Sequence, residues 1–244
     1  MKTVLVLGAG LVAGPMIRYL LERDVHVTVA SRTVEKAEKL VGAHPNSRAI
    51  AFDIEKDTNL DELVAEHDVT VSLLPYTHHV KVARACISAK KHLITTSYIS
   101  PEMKALDNEA REAGVMLMNE LGLDPGIDHM EAMRIIDEVH AEGGDVKSFK
   151  SYCGGLPAPE ANDNPLGYKF SWSPRGVLLA GRNSAKFLKD GEVREIPSVD
   201  LFGTVEKVEI PSLGEFEGYP NRDSVPYVET VSYTHLTLPT KRIV

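Results

Sequence analysis

The 244-residue sequence has little cysteine, and it has no apolar run long enough to cross a membrane. Its two cysteines, Cys86 and Cys153, are too few for a disulfide framework or a thiolate metal centre, so we predict no metal site. A membrane span needs about 20 consecutive apolar residues, and no stretch approaches that length. Basic residues are outnumbered by acidic ones, 27 against 35, and the net charge of -8 argues against a nucleic-acid partner.

The remaining composition is that of a soluble globular protein. Hydrophobic residues make up 43% of the chain and charged residues 25%. A strand candidate stands at the very start, with no signal peptide in front of it. We therefore expect a cytoplasmic enzyme.

A glycine-rich turn follows the first strand candidate. Residues 4–7 are all apolar, as expected of a strand buried on both faces of a parallel sheet. Gly8, Gly10 and Ala13 then fit the pattern G-x-G-x-x-G/A, which permits a sharp turn, a close approach of the backbone to a phosphate and tight packing of the next helix. An ordinary strand–turn–helix would show the same glycines. The position between an apolar strand and an amphipathic helix favours dinucleotide binding.

The residues after the second strand candidate, 25–30, bear on the choice of cofactor. An acidic residue there would hold the ribose 2′-hydroxyl of NAD. This chain has Ser31, Arg32 and Thr33, two hydroxyls and a guanidinium that suit the 2′-phosphate of NADP. The alternative is a solvated loop that caps the next helix, residues 35–40.

Six strand candidates alternate with helices over about the first 125 residues, which predicts an α/β, Rossmann-like doubly wound parallel sheet. Asp53 and Ile54 end the third strand, where an adenine edge would be met. Pro75 closes the fourth strand, and Ser97 and Tyr98 follow the fifth, so these residues reach the carboxyl edge where ligands bind. The adjacent histidines at positions 78 and 79 are expected at solvent or at a helix start.

The composition changes at residues 119–129, the expected exit from the nucleotide domain. Asp124 in this segment is equally consistent with a substrate ligand and with a turn or cap residue. Part of an α+β substrate domain follows, with a predicted helix at 177–187 and antiparallel strands at 192–196 and 205–210. Trp172, the sole tryptophan, lies in a loop-rich stretch that suggests a pocket or an interface. We predict an NADP-binding domain at 1–125, a partial substrate domain at 126–230 and a non-native tail at 231–244.

Several motifs are more specific than the glycine turn. They are SRT at 31–33, LPYT at 74–77, TSYISP at 96–101, MNE at 118–120, LDPGIDH at 123–129, SYCGGLPAP at 151–159 and YPNRDS at 219–224. With these motifs the sequence closely resembles the saccharopine dehydrogenase family, of the NADP-dependent, glutamate-forming kind. The resemblance runs from residue 1 to about residue 227.

The resemblance implies an oxidoreductase that condenses L-glutamate with α-aminoadipate δ-semialdehyde to saccharopine, reversibly and with NADPH. This reaction belongs to lysine metabolism through α-aminoadipate. The implied partners are these small molecules, with a homodimer left open. The family's chains are about twice as long as this one, so we expect a whole cofactor half, a cut and loosely held substrate half, and negligible turnover.

The resemblance also implies a role for each matching residue. The pyrophosphate falls to Gly8, Gly10, Leu11, Val12 and Ala13, the 2′-phosphate to Ser31, Arg32 and Thr33, the adenosine end to Asp53 and Ile54, and the nicotinamide half to Leu74, Pro75, Thr96, Leu123 and Pro125. Saccharopine would be contacted by Ser97, Tyr98, Asp124 and Arg222, and the catalytic candidates are Asp124, Tyr98 and Cys153. Saccharopine carries three carboxylates, so a cation and hydroxyl donors suit it, while a carboxylate accepts from an ammonium.

Two other functions remain open. An imine-forming dehydrogenase of polyamine synthesis would share the nucleotide domain but act on another substrate. A non-catalytic NADP-binding module would bind the cofactor and turn over nothing.

Overall fold

The computed structural model describes residues 2–220, 222–230 and 240–243. The chain divides into two compact units, Met1–Gly126 and Ile127–Val244, called the first and the second unit below. None of the described helices is long and apolar enough to span a membrane.

The first unit alternates strands with helices. Its strands are β1 (Thr3–Leu7), β2 (His26–Ser31), β3 (Ser47–Ala51), β4 (Val69–Ser72), β5 (His92–Thr95) and β6 (Leu117–Met118), and its helices are α1 (Ala13–Leu21), α2 (Val34–Val41), α3 (Leu60–Ala65), α4 (His79–Ala89), α5 (Pro101–Lys104) and α6 (Asp107–Ala113). The strands form one six-stranded sheet in the order β3-β2-β1-β4-β5-β6, and every pair is parallel. The predicted doubly wound sheet is confirmed, and its strand order reverses between β1 and β4.

The central strand β1 supplies side chains to two hydrophobic cores, one on each face of the sheet. Leu5 and Leu7 belong to a cluster that includes residues of α3 and α4. Val6, from the opposite face of the strand, packs in a cluster with residues of α1 and α2. All three side chains are fully buried. An uninterrupted apolar strand is therefore what this position requires.

The helix predicted after β5 is two short helices in the structure. Ser100 begins α5, because its side chain accepts a hydrogen bond from the Met103 amide. The chain turns at Leu106, which is buried, and α6 follows. Met103 and Leu106 both belong to the core cluster that contains Leu5.

The second unit combines helices with short sheets. Its helices are α7 (Ile127–Ala141), α8 (Pro174–Ala180) and α9 (Val225–Thr230), and its strands are β7 (Ser151–Cys153), β8 (Ala185–Lys189), β9 (Glu192–Ile196), β10 (Glu206–Ile210), β11 (Gly214–Pro220) and β12 (Thr240–Ile243). One sheet has the order β10-β11-β12-β7, and β8 and β9 form a separate antiparallel hairpin. Of the predicted non-native tail, residues 231–239 and 244 lie outside the described residues, and the remainder is β12.

The helix predicted at 177–187 is wrong. α8 starts at Pro174, with the Ser173 hydroxyl accepting from the Gly176 amide, and it ends at Ala180. The following residues form β8, whose buried side chains alternate. Asp190 and Gly191, with φ of 53° and 79°, make the two-residue turn to β9, and this Asp-Gly pair is a hairpin signal.

Candidate functional site

The glycine turn is tight at its start and open in its middle. Gly8 has φ of 114°, and a Cβ there would lie 3.2 Å from the Leu73 carbonyl oxygen. A Cβ on Gly10 would meet no atom within 4 Å among the described residues, so the space beside this backbone is open. Ala13, the first residue of α1, is fully buried. The geometry fits a phosphate that approaches the backbone at Gly10.

The start of α1 adds hydrogen-bond donors to this turn. Val12 is the N-cap residue, and no described side chain caps the helix. The amides of a first helical turn have no intrahelical partner, and the helix dipole is positive there. Leu11 and Val12 are exposed beside them. The residues present therefore suit the pyrophosphate of a dinucleotide.

The predicted 2′-phosphate residues lie together at the end of β2. Ser31 is the last residue of that strand, and its hydroxyl accepts from the Thr33 amide at 3.3 Å. Thr33 is the N-cap residue of α2 but makes no side-chain cap bond. Arg32 is exposed and makes no ion pair within the part of the chain that the structure describes. Its guanidinium is available to an anionic ligand.

Asp53 and Ile54 have local roles beside the expected adenosine site. The Asp53 carboxylate accepts from the Glu55 amide at 3.0 Å, and the Asp53 amide donates to the Asp57 carboxylate at 2.7 Å. Ile54 is buried, and its carbonyl oxygen accepts from the Lys81 ammonium at 2.6 Å. These bonds fix the turn after β3.

The carboxyl edge of the sheet brings further predicted residues together. Leu74 and Pro75 follow β4, and Thr96 follows β5, so the neighbouring pairing of these strands sets the two segments side by side. Leu74 and Thr96 are half-buried, whereas Pro75 is exposed. Leu123, after β6, has 64% of its surface exposed. These residues offer apolar surface at the edge where the glycine turn also lies.

Tyr98 and Asp124 are in direct contact at this edge. The Tyr98 hydroxyl donates a hydrogen bond to Oδ1 of Asp124. Both side chains are partly buried. The structure thus joins two of the three predicted catalytic candidates.

Glu120 ties the loop that carries Tyr98 to the loop that carries Asp124. Its amide donates to the Ser97 carbonyl at 3.1 Å, and its carboxylate accepts from the Ile99 amide at 2.9 Å. The Leu121 amide also donates to the Thr95 carbonyl at 3.1 Å. The segments 96–100 and 119–126, called the edge loops below, are therefore held as a pair. Sequence reasoning did not single out Glu120.

Asp124 lies in a turn that only glycine can close. The Gly122 amide donates to the Pro125 carbonyl at 2.9 Å, and the Asp124–Pro125 peptide is cis. Gly126 has φ of 145°, and a Cβ there would lie 2.2 Å from the Gly122 carbonyl oxygen. Pro125 is buried. Asp124 is thus a turn residue whose carboxylate points to Tyr98, and α7 begins only at residue 127.

His79 is a site residue that sequence reasoning missed. The prediction of a helix start is confirmed, since His79 opens α4, but the side chain is only 4% exposed. Its Nδ1 lies 3.0 Å from the Ser72 hydroxyl and its Nε2 lies 2.8 Å from the Ser97 hydroxyl. Burial, and to a smaller extent the neighbouring His78, lowers the pKa of His79 to about 4. Ser72 at the end of the buried strand β4 was the available signal, because most buried hydroxyls have a hydrogen-bond partner.

Cys153 and Arg222 belong to the second unit. Cys153 is partly buried at the end of β7. Arg222 has φ of 55°, and its carbonyl oxygen accepts from the Lys186 amide of β8 at 2.8 Å. In the same unit the Tyr152 hydroxyl donates to the Glu206 carboxylate at 2.8 Å. Burial and this carboxylate raise the pKa of Tyr152 to about 12.

The predicted pocket role of Trp172 remains untested. Its ring lies against the start of α8, since a Cβ on Gly176 would lie 2.6 Å from the Trp172 ring. Within the described residues, no group of three or more His, Cys, Asp and Glu side chains is placed to hold a metal ion.

The strand order and the glycine turn beside the switch point define the first unit as a Rossmann-type dinucleotide-binding domain. Residues 4–118 match the family model of the saccharopine dehydrogenase NADP binding domain, and residues 122–243 match the saccharopine dehydrogenase C-terminal domain. The chain belongs to the saccharopine dehydrogenase family and carries its NADP-binding domain. The resemblance read from the motifs is confirmed.

Two fungal relatives are NADP(+)-dependent, L-glutamate-forming saccharopine dehydrogenases. The Pyricularia oryzae protein is 53% identical over 228 residues, which are 93% of this chain and 51% of the relative. The Saccharomyces cerevisiae protein is 52% identical over 240 residues, covering 94% of this chain and 53% of the relative. The chain spans about half the length of these curated relatives.

A solved structure gives the same picture in three dimensions. The apo saccharopine dehydrogenase (L-Glu forming) from Saccharomyces cerevisiae superposes with a TM-score of 0.88 at 49% identity. The match covers 100% of this chain and 55% of that structure.

Proposed function

We propose that the protein interconverts saccharopine with L-glutamate and α-aminoadipate δ-semialdehyde, using NADP, in lysine metabolism through α-aminoadipate. The observation that carries the proposal is the hydrogen-bonded pair of Tyr98 and Asp124, at the same sheet edge as the open backbone of Gly10. Family membership supports the substrate assignment.

The chemistry suits a secondary amine substrate. NADP, when bound, supplies the hydride chemistry between an amine and an imine carbon. Oδ2 of Asp124 has no hydrogen-bond partner within the described residues, so this oxygen can accept from the amine nitrogen while Oδ1 accepts from Tyr98. The Ser97 hydroxyl can donate to a substrate carboxylate. Asp124 and Tyr98 thereby orient the nitrogen and hold its proton.

The family motifs also give Arg222 and Cys153 roles toward the substrate. The guanidinium is a fixed positive charge of the kind that binds carboxylates, and saccharopine has three of them. The role of Cys153 near the substrate rests on the motif SYCGGLPAP alone.

Cofactor choice is tested at Arg32. A charge-assisted contact to the 2′-phosphate is worth about 1.5–3 kcal/mol. Arg32→Ala should therefore weaken NADPH binding about tenfold to a hundredfold and leave NADH binding nearly unchanged, as measured by fluorescence titration. Arg23→Ala, an exposed arginine just before β2 at the opposite edge of the sheet, is the matched control. An equal loss for both cofactors would show that Arg32 does not meet the phosphate.

The substrate is tested by saccharopine-dependent NADP reduction in a version extended to the length of the family's chains. Tyr98→Phe and Asp124→Asn should each lower kcat/KM, and Arg222→Ala should raise the KM for saccharopine without changing NADP affinity. A protein that binds NADPH yet turns over neither saccharopine nor a polyamine imine would instead be a non-catalytic binding module. Turnover of the polyamine imine alone would select the other enzyme.

Three expectations stay predictions of the sequence: a cytoplasmic location, a homodimer, and negligible turnover by the 244-residue chain itself. Fractionation, sedimentation and the same assay on this chain measure them.

A further inference from the structure

A largely buried hydrogen-bond network of three side chains connects the end of β4 to the carboxyl edge of the sheet. Ser72 is fully buried, His79 is almost so, and Ser97 is partly exposed. The imidazole bridges the two hydroxyls, with Nδ1 at 3.0 Å from Ser72 and Nε2 at 2.8 Å from Ser97. All three residues lie in the first unit, so this hydrogen-bond network involves no residue of the second unit.

Ser72, at the buried end of this network, determines the tautomer of His79. Within the described residues, His79 Nδ1 is the one hydrogen-bond partner of the Ser72 hydroxyl. If Nδ1 carried the proton, Ser72 would accept it and leave its own buried proton without an acceptor, which costs free energy. If Nδ1 is unprotonated, Ser72 donates to it and both groups are satisfied. A neutral imidazole then carries its proton on Nε2.

The tautomer of His79 in turn fixes the direction of the Ser97 hydroxyl proton. Nε2–H donates to the Ser97 oxygen, so the Ser97 proton points away from His79 toward solvent or ligand. With the opposite tautomer, the Ser97 hydroxyl would donate its hydrogen bond to Nε2 and could only accept hydrogen bonds from a ligand. A carboxylate needs a donor, and only the first arrangement supplies one.

We propose that His79 is a positioning residue that, as the neutral Nε2–H tautomer held by Ser72, presents the Ser97 hydroxyl as a donor to a substrate carboxylate. The part that concerns the carboxylate rests on the proposed function. The lowered pKa of His79 agrees with a neutral ring near pH 7.

The tautomer is measured directly by NMR on the 244-residue chain labelled with ¹⁵N-histidine. Long-range ¹H–¹⁵N spectra distinguish protonated from unprotonated ring nitrogens, and His79→Leu assigns the signals. We expect Nε2 protonated and Nδ1 unprotonated at pH 7, and loss of this preference in Ser72→Ala. A protonated Nδ1, or a doubly protonated ring, would overturn the proposal.

The action through Ser97 is measured by kinetics in the extended version. His79→Leu should raise the KM for saccharopine about tenfold, and His79→Gln, whose amide can donate from the place of Nε2, should restore most of it. His79→Leu should have no further effect when added to Ser97→Ala. NADP affinity should be the same in all variants, which also reports that they are folded.

The outcomes separate the two proposals. Additive effects of His79→Leu and Ser97→Ala, or no rescue by His79→Gln, would exclude positioning through Ser97. An unsubstituted protein that does not turn over saccharopine would refute the proposed function, and the NMR measurement would still decide the tautomer.

Discussion

The two units of the chain are built on different amounts of buried apolar surface. The first has a large hydrophobic cluster on each face of its sheet. Among its described residues, the second has one cluster around Ile136 and a small one of Ala185, Leu201 and Tyr219. Hydrophobic burial is the dominant favourable contribution to folding, so the first unit should be the more stable. The expectation of a loosely held second half is therefore testable unit by unit.

Leu-to-Ala substitutions give the largest expected effect. Leu5 is 0% exposed in the first unit and Leu201 is 1% exposed in the second. Leu5→Ala should cost about 3–5 kcal/mol, because the packed sheet cannot collapse onto the cavity, and Leu201→Ala about 2–3 kcal/mol. Urea unfolding with hydrogen exchange, read separately over peptides 2–126 and 127–220, measures both. A larger cost at Leu201 would contradict the comparison.

Acid should weaken the first unit through His79. An unfolded histidine binds a proton near pH 6.5, whereas the folded pKa of His79 is about 4. The unfolded state therefore binds more protons between these values, and the free energy of unfolding should fall by about 3 kcal/mol as the pH drops from 6.5 to 4. Urea titrations across this range measure the slope, and His79→Leu should flatten it. A slope that persists in His79→Leu would assign the effect to other groups.

Alkali should weaken the second unit through Tyr152. Its folded pKa of about 12 lies above the usual value of 10, so the unfolded state loses its proton first. The contribution of Tyr152 to the free energy of unfolding is fully present below pH 10 and should fall as the pH rises toward 12. Hydrogen exchange of β7 and β10 measures the loss, and Tyr152→Phe should reduce it. Equal alkaline weakening of both units would remove the contrast.

Two glycines in one turn should give the smallest effect on stability and a clear one on binding. Gly8→Ala forces a side chain onto φ of 114° beside the Leu73 carbonyl and should cost about 1–3 kcal/mol. Gly10→Ala has open space for its Cβ, so stability should hold while NADPH binding weakens. Thermal unfolding and fluorescence titration separate the two. Normal NADPH binding by Gly10→Ala would show that the phosphate does not approach this backbone.

The sequence predicts the central strands of the first unit well, because β1 is an uninterrupted apolar run that ends at a glycine and the chain leaves the sheet after β4 at a proline. Residues 4–7 and Pro75 mark such boundaries. In the second unit, Val177, Leu178 and Leu179 suggested a helix that runs on to residue 187. A hairpin forms instead because the Asp190–Gly191 turn pairs β8 with β9 and Ala185 packs with Leu201 and Tyr219. This tertiary packing outweighs helix propensity.

In the candidate site, the sequence likewise predicted residue types but not the contacts between separate segments. Motifs gave the residue types of the edge, including Tyr98 and Asp124, but their contact joins two loops 26 residues apart. Glu120 and His79 were missed because their partners lie across neighbouring strands. Spacing along one element carries no signal for such contacts.

The hydrogen bonds of Glu120 couple the two edge loops, so substitutions in these loops are not independent. Because the side chain and the amide of Glu120 both bond to the loop at 96–100, we expect a substitution in one edge loop to shift the other. If the protein has the proposed activity, a change of its substrate preference should require coordinated substitutions in both loops. Libraries that aim to redirect the proposed activity toward another amine should randomise residues 96–100 and 119–126 together, and selection from either loop alone should return few active sequences.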